Sequence, residues 1–154
     1  MPQRESQTAN LNPQTWTIAA SAWDVACRAL ESVYPNEGCG LLIASRKQPQ
    51  HIIRAHGVKN SIVSTERFEM DPLGYQLVEK SLSKDDVIAG IFHSHPDAEA
   101  QPSKSDLNDA RGLYEFTRQR YLYLNVPVRK HEVNGRAWQL DEALNFHELQ
   151  FTIV

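Results

Sequence analysis

A run of β-branched and apolar residues, Val87 to Phe92, leads without a break into His93, Ser94, His95 and Pro96. Such a run requires a buried strand, and a strand that continues straight into two histidines presents both imidazoles at or just past its carboxyl end. Because the histidines are two residues apart, their side chains point to one face, where a single metal ion can take both. Downstream, Pro96 to Pro102 reads as a loop and Ser103 as the start of a helix to about Arg118, with Asp106 in its first turn. That loop is long enough to fold the helix start back over the strand end. His93, His95 and Asp106 then supply the three protein ligands typical of a hydrolytic zinc site, with the fourth position left for water. Glu37, far upstream and just before an apolar strand, is a possible base.

Each part has a plainer reading. A lone His-x-His pair is commonly two surface or hydrogen-bonded histidines. Ser103 and Asp106 have the spacing of a capping motif, in which both side chains satisfy free helix amides. Glu37 can be a solvated acid after the Pro35-Asn36 turn. Their combination along one chain favours the metal over these separate accounts. A zinc deaminase is disfavoured, since its P-C-x-x-C partner is missing. His147-Glu148 is not an H-E-x-x-H motif, because Phe151 stands where the second histidine belongs. His51, His56 and His131 lack partners at ligand spacing and read as surface groups. Cys27 falls on the apolar face of the first helix, and Cys39 reads as a buried apolar group rather than a nucleophile.

The remaining pattern is of mixed α and β type. Residues 1–14 are polar and read as a flexible tail, and 15–154 as one domain, which at this size buries roughly 70% of the surface its unfolded chain exposes. Trp16 to Ala19 suits a short strand. Ser21 then caps a helix carrying Trp23, Ala26, Cys27, Leu30, Val33 and Tyr34 on one face and ended by Pro35. Cys39 to Ala44 and His51 to Val58 read as strands joined by a polar turn, Arg46 to Gln50, and Arg67 to Met70 as a further short strand. Asp71-Pro72 opens a helix to about Ser83, with Leu73, Leu77, Val78 and Leu82 facing inward. Strands are expected at Tyr121 to Val126, Val128 to Val133, Arg136 to Leu140 and Phe146 to Val154, with a type I′ turn at Asn134-Gly135.

A net charge of -3 gives no electrostatic reason to expect nucleic acid or an anionic membrane as partner. Two cysteines, Cys27 and Cys39, build no disulfide framework, and no run approaches the ~18 apolar residues of a membrane span. A cytoplasmic setting fits. Oligomeric state is not readable.

The stretches E-G-C-G-L-L at Glu37 to Leu42, H-S-H-P at His93 to Pro96 and P-S-K-S-D at Pro102 to Asp106 together resemble the JAMM motif of the MPN+ metallopeptidases. The likeness runs from about residue 16 to the end. F-E-M-D-P-L-G-Y at Phe68 to Tyr75 and N-G-R-A-W-Q-L at Asn134 to Leu140 are similar to the compact bacterial branch that processes sulfur-carrier or ubiquitin-like proteins. The resemblance implies an MPN-type domain, a curved mixed β-sheet flanked by helices with cytidine-deaminase-like layering. It implies Zn2+ on His93, His95 and Asp106, Glu37 as the residue that activates water, and Ser103 as a stabiliser of the tetrahedral intermediate. It also implies a partner: a small ubiquitin-like or sulfur-carrier protein whose C-terminal Gly-Gly tail lies between Asn60 to Asp71 and Asp97 to Pro102 as an added strand. The alternatives are a deconjugating enzyme of a bacterial modifier system, for instance in antiphage defence, and a non-catalytic MPN-like binding module. Arg111 to Arg120 departs from the compact relatives as a longer charged helix, either a partner surface or a solvated face.

Overall fold

The computed structural model describes residues 15–128 and 135–154. In chain order the elements are β1 (Thr15–Ile18), α1 (Ala20–Glu31), β2 (Cys39–Ser45), β3 (Gln48–Val58), α2 (Pro72–Ser81), β4 (Asp86–Pro96), α3 (Lys104–Thr117), β5 (Leu122–Val128), β6 (Arg136–Leu140) and β7 (Phe146–Ile153). The strands pair in the order β1-β3-β2-β4-β5-β6-β7, and β7 returns to pair with β1, so the expected curved mixed sheet closes on itself. β4 lies between β2, which runs antiparallel to it, and β5, which runs parallel.

Strand alternation sorts the side chains between the two faces of the sheet. Leu42, Ala44, Phe92, Leu122, Leu124 and Val126 pack on one side with Ala22, Ala26 and Leu30 of α1. On the other side Leu41 and Ile43 meet Val78 of α2, while Tyr121, Tyr123 and Trp138 meet Ala110 of α3. α1 therefore occupies one face and the other two helices the opposite one. His93 and His95 alternate with Phe92 and Ser94, which places them on the α3 side.

Several expectations shift. α1 begins at Ala20 with Ala19 as an uncapped N-cap, so Ser21 lies inside the helix, and the helix stops at Glu31, before Val33 and Tyr34. Leu73 and Leu77 face solvent, because α2 rests on the sheet mainly through Val78. Residues 67–70 form no strand; a single bridge joins Asn60 and Met70. The β2–β3 turn is shorter than expected, since β3 already starts at Gln48. Val128 ends β5 rather than starting a new strand. His51 is half-buried and hydrogen-bonded to Thr17 Oγ1, and His56 is half-buried too, so neither is a plain surface group. The tail at 1–14, His131, Asn134 and residues 129–133 of the expected strand lie outside the described residues.

Asp71 caps α2 by accepting a hydrogen bond from the Gly74 amide, with Pro72 at the first helical position as expected. Arg111 ties α3 to the β6–β7 turn through Leu144 O and Asn145 Oδ1, both at 2.7 Å, and Arg118 and Arg120 lie against the Tyr114 ring. Much of the charged end of α3 is thus engaged within the molecule. Among the described residues no helix is long and apolar enough to cross a membrane.

Gly40 sits where β2 passes closest to β4, opposite Phe92. A Cβ there would collide with the Phe92 ring and with the backbone carbonyl of His56, which cannot swing away. Gly40→Ala is expected to destabilise the protein by about 1–3 kcal/mol or more in urea denaturation, as overpacking does in a filled core. A midpoint unchanged from wild type would contradict this packing.

Candidate metal centre

β4 and the first turn of α3 bring three ligand atoms to one point. The Nε2 atoms of His93 and His95 are 3.0 Å apart, and each lies 3.3 Å from Oδ2 of Asp106. Donors bound at about 2.0–2.2 Å by a tetrahedral cation are separated by roughly 3.3–3.6 Å, so the two 3.3 Å edges match one such ion and the 3.0 Å edge needs only a small opening to do so. His93, His95 and Asp106 form a group able to hold a metal.

Local structure explains the aim of each ligand. Ser103 is the N-cap of α3: its Oγ accepts the Asp106 amide at 3.1 Å, and its own amide donates to Asp106 Oδ2 at 2.9 Å. This capping box fixes the carboxylate that faces the histidines. His95 Nδ1 is 2.8 Å from the carbonyl of Glu99, which can only accept. Its proton is therefore on Nδ1 and its Nε2 lone pair is free for a cation. The Phe68 ring stacks on His93 with centroids 4.6 Å apart. Ser94, between the ligands, is fully buried on the opposite face, where its Oγ accepts the Gly38 amide at 2.8 Å and its own amide donates to Gly38 O at 3.1 Å. This pairing extends the β2–β4 ladder and holds the turn with Glu37 beside the histidines.

Glu37 is 4% exposed, and among the described residues its Oε1 has no hydrogen-bond partner. Its backbone is fixed on both sides: the amide donates to Ser64 O at 2.8 Å and the carbonyl accepts Asn60 Nδ2 at 3.0 Å. Burial pushes its carboxyl up to about 8; nearby His95 acts downward, and Asp106 and Glu66 act upward. Burial also favours neutral His93, whose pKa is lowered. For Asp106, burial works against the charge, but the neighbouring imidazoles of His93 and His95, with the Ser103 amide, outweigh it and hold the carboxyl far below its usual range. Burial likewise opposes the charge on His95, and Asp106 outweighs it, so that pKa rises. Protonation of Nε2 on either histidine competes with a cation for the same lone pair, so metal affinity falls in acid.

Glu37, His95 and Ser103 line a cleft of about 800 Å³, walled by Thr65, Glu66 and Arg67 on one side and by 96–99 and Gln101 on the other. All five residues singled out from the sequence thus gather in one region. Phe68, Ser94 and Glu99 went unrecognised as site residues. Phe68 stood within a quoted motif and Ser94 between two ligands, whereas a backbone acceptor such as Glu99 O leaves no trace in side-chain identity. Cys39 is buried, its Sγ directed to Val58 O, and burial pushes its thiol up to about 12, against a role as nucleophile. Cys27 packs at the margin of the α1 core.

A model of the family described as prokaryotic homologs of the JAB domain matches residues 19–141. Among solved structures, the fold is similar to the solution structure of a protein from Desulfitobacterium hafniense, with a TM-score of 0.76 and 24% identity over 90% of this chain and 92% of that one. It is also similar to the crystal structure of a JAB1/MPN domain protein from Archaeoglobus fulgidus, with a TM-score of 0.55 and 19% identity over 88% and 98%. A protein from Salinibacter ruber is similar too, with a TM-score of 0.57 and 24% identity over 86% and 87%. No curated protein matches the chain.

The buried acid sets a pH signature. Glu37 releases its proton near 4.5 when unfolded and near 8 in the metal-free fold, so the folded protein binds the extra proton between those values. Its contribution to stability is full below about 4.5 and is lost as pH rises through about 8. With a chelator present, Glu37→Gln should gain on wild type from pH 5 to pH 8, by at most about 1.4 kcal/mol per unit. Urea denaturation across that range checks this, and parallel stability curves would contradict it.

Proposed function

The chain belongs to the family of prokaryotic JAB-domain homologues, and on that basis we propose that it is a zinc-dependent peptidase or isopeptidase. Its substrate in this reading is a small ubiquitin-like or sulfur-carrier protein, cut after a C-terminal Gly-Gly. The observation that carries the proposal is the pairing of a three-donor triangle on His93, His95 and Asp106 with a buried, unpartnered Glu37 oxygen in the same cleft. A binding module has no need of a buried acid kept without a partner, which costs stability.

A zinc ion on His93, His95 and Asp106 would supply Lewis acidity towards the scissile carbonyl and bring the pKa of water towards ~7. Glu37 takes the proton of the attacking water and returns it to the leaving amine. Burial makes its carboxylate a stronger proton acceptor than a solvated one, which suits both halves of that task. Ser103 uses an oxygen lone pair to cap α3, and its O–H, which has the Ser105 hydroxyl 3.2 Å away, can turn to donate to the developing oxyanion. His95 is kept from turning by Glu99, and Phe68 covers the His93 ring.

The substrate assignment draws on the shape of the cleft. Its lining segments, 65–67 and 96–99 with Gln101, are ones that an extended tail can pass between, and glycine, without a side chain, allows such a tail the closest backbone approach to the metal ligands. Release of a carrier's tail and removal of a ubiquitin-like modifier involve the same chemistry at this site. The free thiols of Cys27 and Cys39 agree with a cytoplasmic setting.

Glu37→Ala is expected to bind zinc as wild type does and to lose turnover by at least 10²-fold, of the order of a general base's contribution. Asp106→Ala should lose zinc and activity together. The cap lost with Asp106 is worth only ~0.5–2 kcal/mol against a total of about 5–15 kcal/mol, so that variant stays folded. Zinc content by atomic absorption, beside mass-spectrometric detection of cleaved carrier fusions, checks both. An active Glu37→Ala protein would overturn the mechanism, and a zinc-free wild type would favour the binding module.

A further inference from the structure

In the sheet row that holds His93, two buried polar groups stand side by side without partners. His93 of β4 is the register partner of Asn125 of β5. Register partners on neighbouring strands project to the same face, and the strands themselves lie about 4.7–4.9 Å apart. The packing agrees: Leu124 and Val126 join the α1 side, while Tyr123 lies on the α3 side, which leaves Asn125 on the face of His93.

Asn125 is 1% exposed, and among the described residues neither its Oδ1 nor its Nδ2 has a hydrogen-bond partner. His93 is 2% exposed, and its Nδ1 has none either. A carboxamide enclosed in a strand otherwise built of Leu, Tyr, Val and Pro is costly unless it serves another group. The two ligand histidines differ here. His95 already has an acceptor for Nδ1 in Glu99 O, at 2.8 Å, whereas His93 has no backbone acceptor in reach. A histidine that binds metal through Nε2 carries its proton on Nδ1, and that N–H needs an acceptor to fix the ring.

We propose that Asn125 is the positioning residue for His93. Its carboxamide oxygen accepts the Nδ1 proton, directly or through one enclosed water, and so holds the Nε2 lone pair on the metal position. This inference rests on the metal reading of His93, His95 and Asp106. It adds to that reading a residue from a different strand, with no role in the sequence motif. Asn125 touches neither substrate nor cation in this account; it acts through the imidazole.

The test compares wild type with Asn125→Leu, which keeps the side-chain size and removes the acceptor, and with Asn125→Asp, which keeps the acceptor. Zinc affinity is measured by competition with a chromophoric chelator, and thermal stability is measured with excess EDTA. Asn125→Leu is expected to weaken zinc binding by about 10- to 100-fold while leaving the metal-free melting temperature unchanged or raised. Asn125→Asp should restore affinity. In the zinc-loaded wild type, ¹⁵N-edited NMR should show a slowly exchanging His93 Nδ1 proton that Asn125→Leu loses. If wild type takes one zinc and Asn125→Leu binds it equally tightly, the role of Asn125 is overturned and the metal reading stands. If wild type takes no zinc, both are overturned.

Discussion

One carboxylate oxygen, Oδ2 of Asp106, closes the first turn of α3 through the Ser103 amide and from the same position faces Nε2 of both histidines. The rest of the site depends on this double engagement. It fixes where α3 starts over the end of β4, and with it the span that 97–102 must bridge. Anchoring along α3, through Ala110 against Tyr121, Tyr123 and Trp138 and through Arg111 to the β6–β7 turn, keeps the helix start from drifting off the histidines. A cap on its own is worth about 1 kcal/mol, too little to hold a buried charge beside two enclosed imidazoles. The opposing charge of a cation would give that arrangement its balance.

Reading Ser103 and Asp106 as a cap or as parts of a metal site presents a false choice. The geometry has both: the hydroxyl oxygen and the carboxylate satisfy the helix amides, while the same carboxylate oxygen faces both histidines and Ser103 lines the cleft. The economy is physical. A helix N-terminus has free amides that favour an anionic side chain, so a carboxylate placed there is already oriented and already ionised.

What could be read from the sequence was local. The apolar run into His93, the two-residue spacing of the histidines, the Asp71-Pro72 helix start and the Ser103 cap each rest on chemistry within a few residues, and each appears in the fold. Long-range packing set the rest. Leu73 and Leu77 have helical spacing suited to burial, yet α2 docks through Val78 and leaves them in solvent. The parallel return of β7 onto β1 joins the two ends of the described chain, and no periodicity announces it. Glu37 took its place from the family resemblance; the fold supplies the physical reason in the clamps from Ser64, Asn60 and Ser94, all distant in sequence. Asn125 was invisible for the same reason, since its importance lies in facing His93 across a strand pair.

The proposed zinc ion would be held by two imidazoles and one carboxylate, those of His93, His95 and Asp106, at the junction of β4 and α3. Zinc K-edge X-ray absorption of the protein loaded with one equivalent of zinc tests it most directly. The account predicts a shell of nitrogen and oxygen at about 2.0–2.1 Å, outer-shell scattering from two imidazoles, and no sulfur, since Cys39 points away to Val58. A sulfur shell near 2.3 Å, or a spectrum with fewer than two imidazoles, would contradict it.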